Sequence, residues 1–188
     1  ATINASPLNI TISKTYNGDA SFTNANSYTL TGMVNSESAP TITGGSATTS
    51  SANAATYTSF ATNSFTLSST NYTLTGGTVG ATINKAPLGI TVTGTYTGTT
   101  TLNAPSYTTT GLVNSETITS LTSALVNNAN VSANGSNYVS SIVIGSGTAI
   151  AGNYNITQAY NASAGTTQNT ATINASPLNI TISKTYNG

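Results

Sequence analysis

The sequence predicts an all-β protein, built of tandem small β-sandwich-like or β-grasp-like domains arranged end to end as an extended rod. Three observations carry this. The chain of 188 residues holds 40 Thr and 10 Tyr but only three Lys, one Met and no Arg, so strand formers are plentiful and helix formers scarce. Leu8, Ile10 and Ile12 alternate with Asn9, Thr11 and Ser13, and Leu88, Ile90 and Val92 alternate with Gly89, Thr91 and Thr93. Such period-two alternation puts one face on a core and the other in water. Finally, residues 1–18 recur without change as residues 171–188, a period of 170 residues.

The elements follow in order. Tyr16 and Tyr96 keep the parity of the alternating strands before them and are expected to point inward. Further strands are expected at 28–34, 55–60, 63–67, 71–75 and 79–83, then at 105–113, 117–126, 138–144 and 148–156. Gly44-Gly45, Gly76-Gly77 and the Asn/Ser clusters supply the turns between them. Residues 46–55 are the one stretch that also reads as helix. Six to eight short strands in 80–90 residues suit a small β-sandwich or a related compact β-fold.

A weaker copy lies within the period: 81–98 reads ATINKAPLGITVTGTYTG against ATINASPLNITISKTYNG at 1–18. Glu37 pairs with Glu116 in the segments MVNSE and LVNSE, and Tyr72 pairs with Tyr154. Residues 1–6 are read as the end of a preceding repeat and its joint, 7–84 as repeat A, 85–174 as repeat B, and 175–188 as the start of the next A. Repeat B's extra residues are expected in the polar run 158–170. A period this long suggests beads rather than a solenoid. The joint Asn84-Lys85-Ala86-Pro87 is short, and proline restricts both itself and its predecessor, so successive domains should stay in line.

Composition excludes much chemistry. There is no His and no Cys, so the usual zinc, haem and iron–sulfur ligand sets are missing and no disulfide forms. The acids are Asp19, Glu37 and Glu116, too few to favour acid–base catalysis. Lys14, Lys85 and Lys184 make no basic surface for nucleic acid. No apolar run approaches a membrane span. The expectation is a protein without catalytic, cofactor-binding or metal-binding residues, and not an enzyme.

Three landmarks stand in the same order along both repeats. The first is the turn Lys14-Thr15-Tyr16-Asn17-Gly18-Asp19-Ala20, with Gly94-Thr95-Tyr96-Thr97-Gly98-Thr99-Thr100 in repeat B. The second is the G-x-V-x-G-D/E-like segment at Gly32–Glu37 and Gly111–Glu116. The third is the closing Ala151-Gly152-Asn153-Tyr154-Asn155-Ile156 followed by Ala171-Thr172-Ile173. Together they resemble the YDG/MBG-type repeat domains of large, filamentous-haemagglutinin-like bacterial surface adhesins, whose turn aspartate is here Asn17 or Thr97 and whose lysine is Gly94 in repeat B. The resemblance implies a secreted or surface-attached stalk with no catalytic or cofactor residues.

Several single residues admit a sharper reading and a plainer one. Lys14 with an asparagine, beside Asp19 or Glu37, suggests an intramolecular isopeptide bond. Only the glutamates recur in both repeats, and a solvated turn accounts for the lysine. Asp19 with backbone carbonyls is thin for calcium. The nine Asn-x-Ser/Thr sequons are about what this Asn, Ser and Thr content gives by chance. Tyr16, Tyr72, Tyr96 and Tyr154 occupy repeat-equivalent positions, which favours core packing over stacking on sugars.

The functional expectation is therefore a structural tandem-repeat segment of a bacterial extracellular fibre or giant adhesin stalk, with neighbouring copies of itself as partners. The alternative is a module whose repeats themselves bind extracellular glycans or bundle fibres. A formal net charge of zero removes the self-repulsion that keeps fibres apart.

Overall fold

The computed structural model describes residues 2–156 and 169–188. They are all-β, 46% strand and 3% helix, in several small sheets of which none closes. The two helical pieces are single 3₁₀ turns, Val131–Ala133 and Ala151–Asn153. The chain divides into two compact units. The first takes Ala1–Leu88, Gly111–Thr117 and Thr148–Asn155; the second takes Gly89–Thr110, Ile118–Gly147 and Ile156–Gly188. The first unit thus holds all of repeat A's span together with three segments from repeat B's span.

The largest sheet of the first unit is centred on Asn9–Thr15, the strand with the clearest alternation. Ser27–Thr31 pairs with it antiparallel and Val79–Asn84 pairs with it parallel, with Thr56–Tyr57 beyond. Leu8, Ile10 and Ile12 are buried while Asn9 and Thr11 face water, as the period-two pattern requires. Ser21–Thr23, Ser46–Thr48 and Thr62–Asn63 form a second, antiparallel sheet, and Phe22 and Ala47 bury fully from it. Ile42–Gly44 pairs antiparallel with Thr66–Leu67, and two short parallel pairs complete the unit: Ser6–Pro7 with Tyr72–Thr73, and Ala86–Pro87 with Tyr154–Asn155.

The second unit repeats the two larger sheets, each with three strands among the described residues. Its central strand Gly89–Thr95 pairs antiparallel with Ser106–Thr110 and parallel with Asn169–Asn174. Thr101–Asn103, Ile118–Val126 and Val139–Gly147 form an antiparallel sheet. Ile90, Val92, Leu102, Leu121, Val126, Val139 and Ile173 make its core.

Several expectations are corrected. The strands expected at 28–34 and 105–113 stop at Thr31 and Thr110. Gly32 (φ 98°) and Gly111 (φ 91°) turn the chain there into a backbone region that favours glycine. Asn35 and Ser36 then take φ 51° and 58°, and the Glu37 N–H donates to the Val34 carbonyl at 3.0 Å, a type I′ turn. Asn114 and Ser115 repeat it at φ 52° and 56°. The strand expected at 55–60 shrinks to Thr56–Tyr57, and that at 148–156 is a 3₁₀ turn followed by Tyr154–Asn155. Residues 46–55 contain no helix and open with the strand Ser46–Thr48, which buries Ala47. Ser21–Thr23, Ile42–Gly44 and Thr101–Asn103 were not expected: each has one buried apolar residue and is too short to show alternation. Tyr96 does not point into a core; it is 41% exposed. The run 158–170 lies outside the described residues except for its last two.

Candidate functional site

The feature that recurs is a tyrosine–glutamate clamp built on the type I′ turn. In repeat A, the Val34 N–H donates to the Tyr72 hydroxyl at 3.2 Å, and that hydroxyl donates to Glu37 Oε2 at 2.5 Å. In repeat B, the Val113 N–H donates to the Tyr154 hydroxyl at 3.1 Å, which donates to Glu116 Oε2 at 2.7 Å. The local sequence explains the geometry. The tight turn brings the glutamate back beside the valine amide, and a short parallel strand pair carries the tyrosine to it: Ser6 opposite Tyr72, and Ala86 opposite Tyr154.

The two clamps differ in what they hold. Glu116 receives a second phenol, from Tyr16 on the turn that ends repeat A's first long strand. The Tyr16 and Tyr154 rings meet edge to face at 5.6 Å and 81°, an arrangement worth roughly 0.5–1.5 kcal/mol beyond area burial. Gly18, in the same turn, lies so close to the second clamp that a Cβ there would stand 2.5 Å from Asn114 Cβ. Next to it, Asn153 donates to Asn53 Oδ1 at 3.0 Å and accepts from the Ala54 N–H at 2.8 Å. Tyr16 is 5% exposed and Glu116 half-buried, whereas Glu37 is exposed.

The electrostatics follow from this packing. Burial, helped by the bond to Glu116, raises the Tyr16 phenol above its ordinary pKa. Burial pushes Tyr154 up to about 12. The hydrogen bond to Glu37 raises Tyr72. Both oxygens of Glu116 are occupied by phenol donors, so the cluster holds surfaces together through charge-assisted hydrogen bonds.

Lys14, Asn17 and Asp19 do come together, while Glu37 is engaged elsewhere with Tyr72. The Lys14 ammonium donates to Asn17 Oδ1 at 3.0 Å and to the carbonyls of Asp19 and Ser21 at 2.6 and 2.8 Å, and lies 5.3 Å from the Phe22 ring centroid. Burial lowers its pKa against the pull of Asp19. The Ser21 N–H donates to Asp19 and holds that carboxyl below its ordinary value. The lysine therefore braces the turn that presents Tyr16. Among the described residues no group of three His, Cys, Asp or Glu could hold a metal ion, and no helix is long and apolar enough to cross a membrane.

Asparagine has a second role that composition alone did not disclose. Asn169 is buried; its amide donates to the Val139 carbonyl at 2.6 Å and to the Ile156 carbonyl, and accepts from the Val139 N–H at 2.9 Å. Asn134 makes the same two-way contact with Ile173, at 2.9 and 2.8 Å. These side-chain amides stand in for peptide groups beside the Asn169–Asn174 strand. Among the described residues no buried side-chain nitrogen or oxygen lacks a partner.

No protein-family model, no curated protein and no solved structure matches the chain.

Proposed function

We propose that this chain is a structural segment of a tandem-repeat bacterial extracellular fibre or adhesin stalk, in which the repeats hold one another in sequence and no catalysis occurs. The observation that carries the reading is the 170-residue period with its 18 unchanged residues. Repeated sequence builds repeated structure: the parallel pairing of Asn9–Thr15 with Val79–Asn84 is matched by Gly89–Thr95 with Asn169–Asn174. The polar, nearly uncharged surface and the resemblance to YDG/MBG-type adhesin repeats support an extracellular, surface-attached setting. The short proline joint supports an extended rod. Electron microscopy of arrays of several periods tests this: fibres support it, and collapsed particles refute it.

Net neutrality favours a second role for the same segment, lateral bundling with neighbouring copies. Sedimentation of multi-period arrays tests it, since a bundling array sediments faster as concentration rises. Glycan-array binding above background would instead favour a glycan-binding module.

A further inference from the structure

The segment ASPL or KAPL occurs three times, and its structural setting differs only at the third. Ser6–Pro7 pairs with Tyr72–Thr73 and Leu8 is buried. Ala86–Pro87 pairs with Tyr154–Asn155 and Leu88 is buried. Ser176–Pro177 has no strand partner among the described residues, and Leu178 is 88% exposed. Ile180 and Ile182, identical in context to the buried Ile10 and Ile12, are exposed as well.

The turn at Tyr96 shows the same contrast. The Tyr16 N–H donates to the Asn84 carbonyl at 2.7 Å and the Tyr96 N–H to the Asn174 carbonyl at 2.8 Å, so the two turns leave the sheet alike. Tyr16 is 5% exposed under Glu116 and Tyr154; Tyr96 is 41% exposed. A Cβ on Gly18 would strike Asn114, whereas one on Gly98 would meet nothing within 4 Å among the described residues. Tyr96, Thr97, Val131, Ala175, Ser176 and Leu178 line an open groove of about 620 Å³.

The complementary surface is present on repeat A. Among the described residues Glu37 is held by Tyr72 alone, and it is exposed beside Val34, in the position where Glu116 accepts from both Tyr154 and Tyr16.

We infer that the Tyr96 groove is the docking site for the A-type unit that residues 175–188 begin. That unit's copies of Val34, Glu37 and Tyr72 close over Tyr96, as Val113, Glu116 and Tyr154 close over Tyr16. The Tyr96 phenol donates to the copied glutamate, and the copied Tyr72–Thr73 strand pairs with Ser176–Pro177. One clamp geometry then serves both the A-to-B and the B-to-A joint. This inference rests on the tandem-repeat reading and adds the residues of the second joint.

The test lengthens the full chain by one period, with residues 19–188 repeated after Gly188 and the added copy of Tyr96 changed to Phe. Nitration of Tyr96 by tetranitromethane is followed by peptide mass spectrometry, with buried Tyr16 as the slow internal reference. Tyr96 should react about tenfold more slowly than in the 188-residue chain, and Glu37→Lys in the added period alone should restore its reactivity. An unchanged Tyr96 rate overturns the inference, as does protection that survives Glu37→Lys. Microscopy of the same lengthened chain separates the two readings. An extended particle with reactive Tyr96 sinks the docking site and leaves the fibre, while a collapsed particle with protected Tyr96 does the reverse.

Discussion

Tyr16 donates its phenol proton to Glu116, a residue one hundred positions further along the chain. This bond ties the turn of repeat A to a turn of repeat B within one compact unit. Removing the phenol while keeping the ring isolates its contribution. Tyr16→Phe should cost about 1–3 kcal/mol in urea unfolding, the range for a partly buried bond to a charged group. Tyr96→Phe should stay within about 0.5 kcal/mol in the 188-residue chain. A Tyr16→Phe/Glu116→Gln cycle should return a coupling of about 0.5–3 kcal/mol.

The clamp should also set the alkaline limit. Burial pushes the Tyr154 phenol up to about 12 in the fold, against about 10 in an unfolded chain. A phenol whose pKa is raised by folding binds more protons in the native state, so stability falls as pH rises. The contribution is whole below about 10 and is lost as pH climbs through about 12. Tyr16 and Tyr72 shift in the same direction. Urea midpoints measured from pH 9 to 12 should decline steeply, and Tyr154→Phe should flatten the decline.

Ile12 and Ile182 occupy the same place in identical 18-residue segments, one buried and the other 86% exposed. Ile12→Ala should cost about 2–5 kcal/mol, and Ile182→Ala less than about 0.5 kcal/mol. Equal effects in parallel unfolding curves would mean that the second segment is packed in solution.

Asn169→Ala removes a buried amide that serves both backbone groups of Val139. Leaving such groups unpaired costs about 1–3 kcal/mol. Hydrogen exchange at the Val139 amide should accelerate before that of the strand Gly89–Thr95, which keeps its own ladder.

The long central strands were legible because alternation over seven residues is a strong local signal: Asn9–Thr15 and Gly89–Thr95 bury the residues their patterns mark. The three-residue strands were not, since one apolar residue such as Phe22 or Leu102 defines no period. The clamp was half legible. Glu37 and Glu116 stood out as equivalent, as did Tyr72 and Tyr154, but each pair's bond spans 35 to 38 residues. Nothing local announces such a contact. Strand parity placed Tyr16 correctly and Tyr96 incorrectly, because the cover over a turn comes from a distant segment and not from the strand that leads to it. The asparagine count was visible, but its use as a peptide surrogate depends on which strand edge each side chain faces.

The length of arrays tests most directly whether the period builds a fibre. Chains of one, two and four periods, measured by electron microscopy, should give particles whose long dimension rises in proportion to the number of periods at constant width. Rounded particles that widen as periods are added would contradict it.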